Sequence, residues 1–363
     1  LRLVGSEMCI RDRIYIYYVV RCYQGVDDMS KFNFEGKCLL KSTDYSKDEL
    51  NYIIDKAQQL KAEKKNNQSH QLLTNKNIAI IFEKPSTRTR AAFSVAAHDL
   101  GVQVDYFGQG EIHLGKKESI YDTAKVLGSM YDGIEFRGHD HNDVETLAQH
   151  ANVPVWNGLT NEWHPTQMLA DFMTLKEEWG TLKGKTLTYI GDARNNVAND
   201  LLVTGALLGV NMNIVAPESR LPESHVVAMA KDYAEQTGAT IQISSDIEKT
   251  VYQTDAIYTD VWFSMGEPTD VIEERVKALQ PYQINMSLIQ KIQNPDVKVL
   301  HCLPAFHNTQ TQVGKDVYEK YGLSEMEITD EVFHSPYSIV FKQAENRLHS
   351  IKAIMALTLG GIK

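Results

Sequence analysis

The sequence predicts an α/β protein of two doubly wound parallel-sheet domains, with a C-terminal helix returning to the first domain. Short apolar runs alternate with helical patterns along the chain from Asn77 onward. Several of these runs are apolar throughout, as expected of strands that are covered on both faces of a sheet. The alternation breaks between Asn157 and Gln167 and then resumes. Strand–helix alternation of this kind implies parallel sheets with right-handed crossovers.

The predicted elements follow one another in the order that such a fold requires. Apolar runs predict strands at 77–82, 103–107, 133–136, 153–156, 186–190, 211–215, 255–259 and 297–301. Helical patterns predict helices that include 86–100, 119–130, 166–179, 196–208, 223–237 and 342–357. No strand follows the last helix, so we expect that helix to pack back on the first domain.

The break in the alternation marks the predicted domain boundary. Residues 29–166 together with 342–363 form the first predicted domain, and residues 167–341 form the second. Residues 1–28 are expected to be a non-native or disordered extension, because Met29 opens a segment typical of a natural start. Their apolar run, Ile14 to Val20, is too short to span a bilayer.

Length, charge and cysteine content narrow the class of protein. A chain of 363 residues favours two domains over one. A net charge of -10 argues against a general nucleic-acid binder. The four cysteines form no CxxC pair and no zinc spacing. We therefore expect a reduced, cytoplasmic protein without a metal site and without a membrane partner.

The stretch FEKPSTRTR, from Phe82 to Arg90, lies where the first strand hands over to a helix. The free N–H groups of a helix start and its dipole favour an anion there. Two arginine forks, at Arg88 and Arg90, suit phosphate oxygens. The stretch lacks the glycines of the common nucleotide loops. An alternative interpretation is a helix cap at Ser86 beside two solvated arginines.

Further polar residues follow the other predicted strands or lie at the domain junction. They are Arg137, His164, Gln167, Asn195, Asn196, Asp260, Ser264, Met265 and Cys302. Ligands of open α/β sheets gather beyond the carboxyl ends of the strands, so we expect one shared site. Taken singly, His164 has an ordinary alternative as a structural histidine, and Asp260 as a capping carboxylate. Cys302 alone is more typical of a buried small side chain.

In combination these segments resemble the ornithine carbamoyltransferase family, within the aspartate/ornithine carbamoyltransferase superfamily. The resemblance covers roughly Lys31 to the C-terminus and rests on FEKPSTRTR, HPTQ, GDARNN, DVWFSMGE, HCLPAFH and DEVFHSPYSIVFKQAENR. STRT and HPTQ are shared across the superfamily, whereas SMG and HCLP point to ornithine as acceptor. The resemblance implies a carbamoyl phosphate-binding domain followed by an ornithine-binding domain. It also implies a homotrimer or a multiple of trimers, with no cofactor or metal.

The resemblance also assigns roles to individual residues. Carbamoyl phosphate is expected to contact Ser86, Thr87, Arg88, Thr89, Arg90, His113, Arg137, His164, Gln167, Cys302, Leu303 and Arg347. L-Ornithine is expected to contact Asn196, Asp260, Ser264 and Met265. The catalytic residues are expected to be Arg88, Arg137, His164, Asp260 and Cys302. Many bacterial members have glutamine where this chain has His113, which is expected to reach a neighbouring subunit's site.

The implied reaction transfers the carbamoyl group of carbamoyl phosphate to the side-chain amine of L-ornithine. Its products are L-citrulline and phosphate, in arginine biosynthesis or in the arginine deiminase pathway. The loop carrying SMGEP is expected to close over ornithine after carbamoyl phosphate has bound. Three alternatives remain open at this point. The first is a carbamoyltransferase for another amine such as putrescine, and the second is a non-catalytic binding or regulatory homologue. The third, ranked well behind the others, is a nicotinamide dehydrogenase.

Overall fold

The computed structural model describes residues 32–68, 71–263 and 269–362. Its first sheet is entirely parallel and has the strand order β2-β1-β3-β4. The strands are β1 (Asn77–Phe82), β2 (Gln103–Phe107), β3 (Gly133–Arg137) and β4 (Val155–Leu159). The helices of this region are α1 (Lys47–Lys65), α2 (Thr87–Leu100), α3 (Ile120–Met130) and α4 (His141–Ala151).

Alternating side chains of the first sheet enter two different apolar clusters. Ile81 and Phe136 pack with residues of α3 and α4 on one face. Ile80 and Trp156 pack on the other face with residues of α1, α2 and the C-terminal helix. Burial on both faces explains why the central strands are apolar throughout.

The second sheet is also parallel and has the order β7-β6-β5-β8-β9. Its strands are β5 (Thr186–Ile190), β6 (Asn211–Val215), β7 (Ile241–Ser244), β8 (Ala256–Thr259) and β9 (Lys298–His301). The helices from the domain junction onward are α5 (Pro165–Trp179), α6 (Asn196–Leu208), α7 (Ser224–Thr237), α8 (Ile247–Thr250), α9 (Thr269–Leu279), α10 (Met286–Ile292), α11 (Gln312–Tyr321), α12 (Asp330–Phe333) and α13 (Val340–Thr358). The predicted α/β class with two parallel sheets is confirmed.

The C-terminal helix α13 returns to the first sheet, as predicted. It packs against α1, α2 and α5. Lys61 of α1 donates to Glu177 of α5 at 3.0 Å and also hydrogen-bonds Asn346 of α13. This packing places the middle of α13 beside the start of α2, where the sequence predicts that an anion binds.

Two strands differ from the sequence prediction by more than one residue, and both differences have physical reasons. β4 begins two residues later than expected and runs on through Asn157 and Gly158 to Leu159. The NH2 group of the buried Asn157 amide donates to the Leu40 carbonyl at 2.8 Å, so a polar side chain occupies an interior position. β7 is not predicted from the sequence, because this edge strand is only partly buried and lacks an apolar run.

The junction between the two sheets is a continuous helix. α5 runs from Pro165 to Trp179 and therefore passes through the predicted boundary between residues 166 and 167. The division into 29–166 with 342–363 and 167–341 stays a prediction. Across the described parts of the chain, no helix has the length and apolar character needed to cross a membrane.

Candidate active site

The stretch that opens α2 separates its two arginines. The Ser86 hydroxyl caps the helix and accepts from the Thr89 N–H at 3.3 Å. Arg88 is half-buried, and burial lowers its pKa, while electrostatic interactions with Cys302 and Asp260, which follow strands of the second sheet, act in the opposite direction. Arg90 is exposed and lies over the Tyr106 ring, 3.7 Å from its centroid. Of the two, it is Arg88 that faces the second domain.

Arg347 reaches the same place from α13. Its Nη2 donates to the hydroxyls of Thr89 at 3.2 Å and Thr166 at 3.3 Å. Its Nη1 donates to the Gln167 side-chain oxygen and lies 3.4 Å from His164 Nε2. The buried guanidinium therefore joins the start of α2 to the start of α5.

His164 lies at the start of α5, where its backbone N–H donates to Asp200 at 2.8 Å. Because an arginine can only donate, Nε2 of His164 accepts from Arg347 and the ring proton sits on Nδ1. Nδ1 is buried and has no partner among the described residues. Burial, followed by the charges of Arg347 and Arg137, holds the His164 pKa well below its usual range. The ring is therefore a neutral donor.

Arg137 completes the cluster at the end of β3. Its Nη1 lies 3.5 Å from the Gly158 carbonyl, and its buried Nε has no partner in the described chain. Burial lowers the pKa of Arg137 and of Arg347 to about 10, so both stay charged at neutral pH. Among the described residues, one buried donor atom in each of Arg137, Arg347 and His164 thus has no hydrogen-bond partner. Such a set suits a small dianion.

Asp260 and Cys302 follow adjacent strands, β8 and β9. The Cys302 thiol donates to Asp260 Oδ1 at 3.0 Å. Asn195 donates to Asp260 Oδ2 at 3.3 Å. Burial and the neighbouring Asp260 raise the Cys302 pKa well above its usual range, so the thiol keeps its proton. Burial also raises the pKa of Asp260.

Leu303 sits on a strained turn after Cys302. Its φ of 58° is left-handed, which a branched side chain rarely adopts. Its N–H donates to His301 Nδ1 at 2.8 Å, and His301 Nε2 donates to Glu327 at 3.2 Å. His301 and Glu327 are fully buried. This pair orients the turn that carries Cys302 and Leu303.

Sequence reasoning missed His301, Glu327 and a second buried network behind the site. Asp171 accepts from Gln167 and Gln343 at 2.7 Å each. Gln343 in turn accepts from the His301 N–H at 3.0 Å. The histidine beside Cys302 in HCLPAFH was an available signal. The local sequence has a helical or loop pattern around Asp171, Glu327 and Gln343. Nothing in these patterns indicates that the three side chains are buried.

Four residues predicted to contact ornithine or carbamoyl phosphate are not placed in the cluster by the structure. The Asn196 amide donates to the Thr160 carbonyl at 2.5 Å, so it already has a partner within the chain. His113 is exposed. Ser264 and Met265 lie outside the described residues, as does the loop expected to close.

Comparison with known proteins connects this geometry to a family. The carbamoyl-P binding domain of aspartate/ornithine carbamoyltransferase matches residues 37–177. The Asp/Orn binding domain of the same family matches residues 183–358. The chain belongs to the aspartate/ornithine carbamoyltransferase family. Its members' two binding domains correspond to the two sheets, and Arg347 falls within the second match although it reaches back to the first.

Individual members of the aspartate/ornithine carbamoyltransferase family are close in sequence and structure. An ornithine carbamoyltransferase of Streptococcus pyogenes serotype M5 (strain Manfredo) is 57% identical over 329 residues, 91% of this chain and 97% of that protein. A relative of the same identity in serotype M1 is named as catabolic. The ornithine carbamoyltransferase structure from Pyrococcus furiosus is 42% identical, with a TM-score of 0.83, and covers 92% of this chain and 100% of its own. The anabolic enzyme of Campylobacter jejuni is 32% identical, with a TM-score of 0.77, and covers 88% and 98%.

Proposed function

We propose that this chain transfers the carbamoyl group of carbamoyl phosphate to the side-chain amine of L-ornithine, giving L-citrulline and phosphate. The observation that carries the proposal is the pairing of two unlike groups across the two domains. Arg88, at an anion-binding helix start, interacts with the Cys302–Asp260 pair of the second sheet. An anionic carbamoyl donor and a cationic amine acceptor fit these two sides.

The phosphate of carbamoyl phosphate binds at the start of α2 in this proposal. The N–H groups of the helix and the charge of Arg88 hold its oxygens. Arg137 supplies its unpaired Nε. His164 donates from Nδ1 to the carbamoyl oxygen, because its other nitrogen is occupied by Arg347. A neutral donor stabilises the developing oxyanion without adding charge to the ground state.

Ornithine must lose a proton before it attacks. A free amine of this type has a reference pKa of about 10.4, so only about one molecule in a thousand is neutral at pH 7. Asp260 orients the ammonium group and accepts its proton, while the Cys302 thiol fixes the carboxylate. The amine nitrogen then bonds to the carbamoyl carbon. The carbon–oxygen bond to phosphate breaks, and phosphate leaves with that bonding pair. The excess proton on the newly bonded nitrogen passes to the leaving phosphate, which gives neutral citrulline nitrogen and phosphate.

Residue roles in ornithine binding form part of the same proposal. Asn196, Asp260, Ser264 and Met265 contact ornithine in the second domain. The relatives carry both catabolic and anabolic names, and the same groups serve either direction of the reaction. We further propose a homotrimer, or a multiple of trimers, in the cytoplasm. His113 then reaches the site of a neighbouring subunit.

A citrulline assay with a panel of acceptors tests the function. Ornithine, putrescine, lysine and aspartate are each supplied with carbamoyl phosphate, and the carbamoylated product is measured. We expect turnover with ornithine that greatly exceeds turnover with the other three. If turnover with putrescine were faster than turnover with ornithine, putrescine and not ornithine would be identified as the acceptor. Phosphate binding without any carbamoyl transfer would instead indicate a non-catalytic homologue.

A further inference from the structure

One buried carboxyl group near the candidate active site has no role in the proposed reaction. Glu135 lies in the middle of β3 and its side chain is fully buried. Neither of its carboxylate oxygens has a hydrogen-bond partner among the described residues. Buried acids are normally paired, since an isolated buried charge is costly. An unpaired carboxyl group at this depth therefore calls for a function.

The position of Glu135 in the strand directs it toward the arginine cluster. Side chains two residues apart in a strand share a face, so Glu135 and Arg137 are on the same side of β3. A Cβ placed on Gly158 of the neighbouring strand would lie 1.8 Å from Glu135 Oε1 and 3.2 Å from Thr89 Cγ2. The carboxyl group thus fills the space beside Gly158. Thr89 in turn accepts from Arg347 at 3.2 Å.

The charges around Glu135 come from two elements. Arg137 belongs to its own strand, and Arg347 comes from α13; both act electrostatically on its carboxyl group. Arg88 of α2 faces the same two guanidiniums. Gly158 of β4 and Thr89 of α2 contribute no charge. Burial outweighs the two arginines and raises the Glu135 pKa well above its usual range.

We propose that Glu135 is a positioning residue that tunes the arginine cluster for its anionic substrate, and that carbamoyl phosphate binding is coupled to proton uptake by Glu135. This inference rests on the proposed function. In the free protein, at pH values above the raised pKa of Glu135, the ionised carboxyl group offsets part of the charge of Arg137 and Arg347. When carbamoyl phosphate binds, its negative charge offsets the charge of the two arginines in place of Glu135. The carboxylate of Glu135 then accepts a proton from solvent. Ionised Glu135 therefore weakens carbamoyl phosphate binding.

The coupling has a defined sign. At low pH the carboxyl group of Glu135 is already protonated. It then repels bound carbamoyl phosphate no more than a glutamine side chain would. As pH rises through its raised pKa, the free protein loses that proton and the affinity for carbamoyl phosphate falls. Linkage limits the loss to about tenfold per pH unit for one proton. Substitution by glutamine keeps the shape and removes this pH dependence.

The test measures the KM for carbamoyl phosphate at saturating ornithine from about pH 6 to about pH 9. The parent protein is compared with Glu135→Gln and with Glu135→Met, which is similar in length and uncharged. We expect the KM of the parent to rise above that of both variants as pH increases, while kcat differs little. Glu177→Gln is the matched control, because it removes one carboxylate whose partners are Lys61, Lys342 and Asn346 instead of the cluster.

Each outcome decides a different statement. Parallel KM profiles for the parent and the glutamine variant would overturn the role of Glu135. A glutamine variant with a higher KM and a lower kcat at every pH would also overturn it, since that indicates loss of structure alone. Citrulline formation by the parent is scored separately, and its absence would count against the proposed function instead.

Discussion

His164 and Cys302 are both uncharged at neutral pH, and desolvation is the largest cause of the pKa shift of each group. For His164, burial is reinforced by Arg347 and Arg137. For Cys302, burial is reinforced by the negative charge of Asp260. The histidine therefore acts as a donor without carrying charge, and the thiol acts as a hydrogen-bond donor instead of a nucleophile.

Loss of the Cys302 thiol tests its role as a donor. Cys302→Ala leaves Asp260 Oδ1 without its side-chain partner, and we expect kcat to fall by roughly 10- to 100-fold, from about 1.5–3 kcal/mol for a bond to a charged group. Calorimetric titration of carbamoyl phosphate should show a much smaller change. Cys302→Ser keeps a donor and should retain more of kcat. Equal losses in both variants would contradict this role.

Arg88 and Arg90, the two arginines of FEKPSTRTR, should differ in their contribution to kcat/KM. Arg88→Ala should lower kcat/KM by roughly a hundredfold or more, because removing one such stabilising donor costs about 3–4 kcal/mol. Arg90→Ala removes the same charge two residues away, from an exposed side chain over Tyr106, and should cost much less. Circular dichroism checks that both variants fold. Comparable losses in the two variants would show that Arg90 also contacts the substrate.

At the scale of elements, the site is made by strand ends and helix starts that meet. The start of α2 carries Arg88 and the end of β3 carries Arg137, while Asp260 and Cys302 directly follow β8 and β9. Asp200 of α6 holds the start of α5 by accepting from the His164 N–H at 2.8 Å and from Ser42 at 3.0 Å. This carboxyl group is buried, and burial raises its pKa to about 7.

The raised pKa of Asp200 gives a pH-dependent stability with a definite sign. The folded state holds the Asp200 proton up to about pH 7, whereas an unfolded aspartate loses it near its ordinary value of about 3.9. The contribution of this group to stability is present at low pH and is lost as pH rises through the folded pKa. From about pH 6 to about pH 8 the loss amounts to about 1.4 kcal/mol.

Asp200→Asn isolates this effect. Urea unfolding of the parent and the variant is measured across the same pH range, and the difference in the free energy of unfolding is followed. We expect the free energy of unfolding of the variant to rise relative to that of the parent as pH increases, because asparagine does not titrate. Other buried acids such as Asp171, whose pKa is raised to about 6, cancel in the difference. A difference that is constant with pH would contradict the shift.

At the scale of the whole molecule, one helix connects the two parts of the site. α13 follows the second sheet in the chain but packs on α1 and α2 of the first. It carries Gln343 to the β9 end and Arg347 to the start of α2. Residues more than 150 positions apart in the sequence thereby enter one hydrogen-bond network.

A trimer with shared sites makes a whole-molecule prediction. Arg88→Ala and His113→Ala are each expected to be impaired as pure proteins. Mixed by unfolding and refolding, they should regain activity, because roughly a quarter of the sites would pair an intact Arg88 with an intact neighbouring His113. The solution mass should be about three times the 41.1 kDa of one chain, or a multiple of that. Activity equal to the average of the two parents would contradict a shared site.

The sequence by itself determined the fold class, most central strands and the ordered motifs from FEKPSTRTR to HCLPAFH. It could do so because strand burial and helix starts leave local signals in apolar runs and capping residues. Only the tertiary structure decided which arginine enters the cluster, how His164 is protonated and where His301, Glu327 and Glu135 lie. These properties depend on burial and on partners distant in the chain, which no local pattern of residues records.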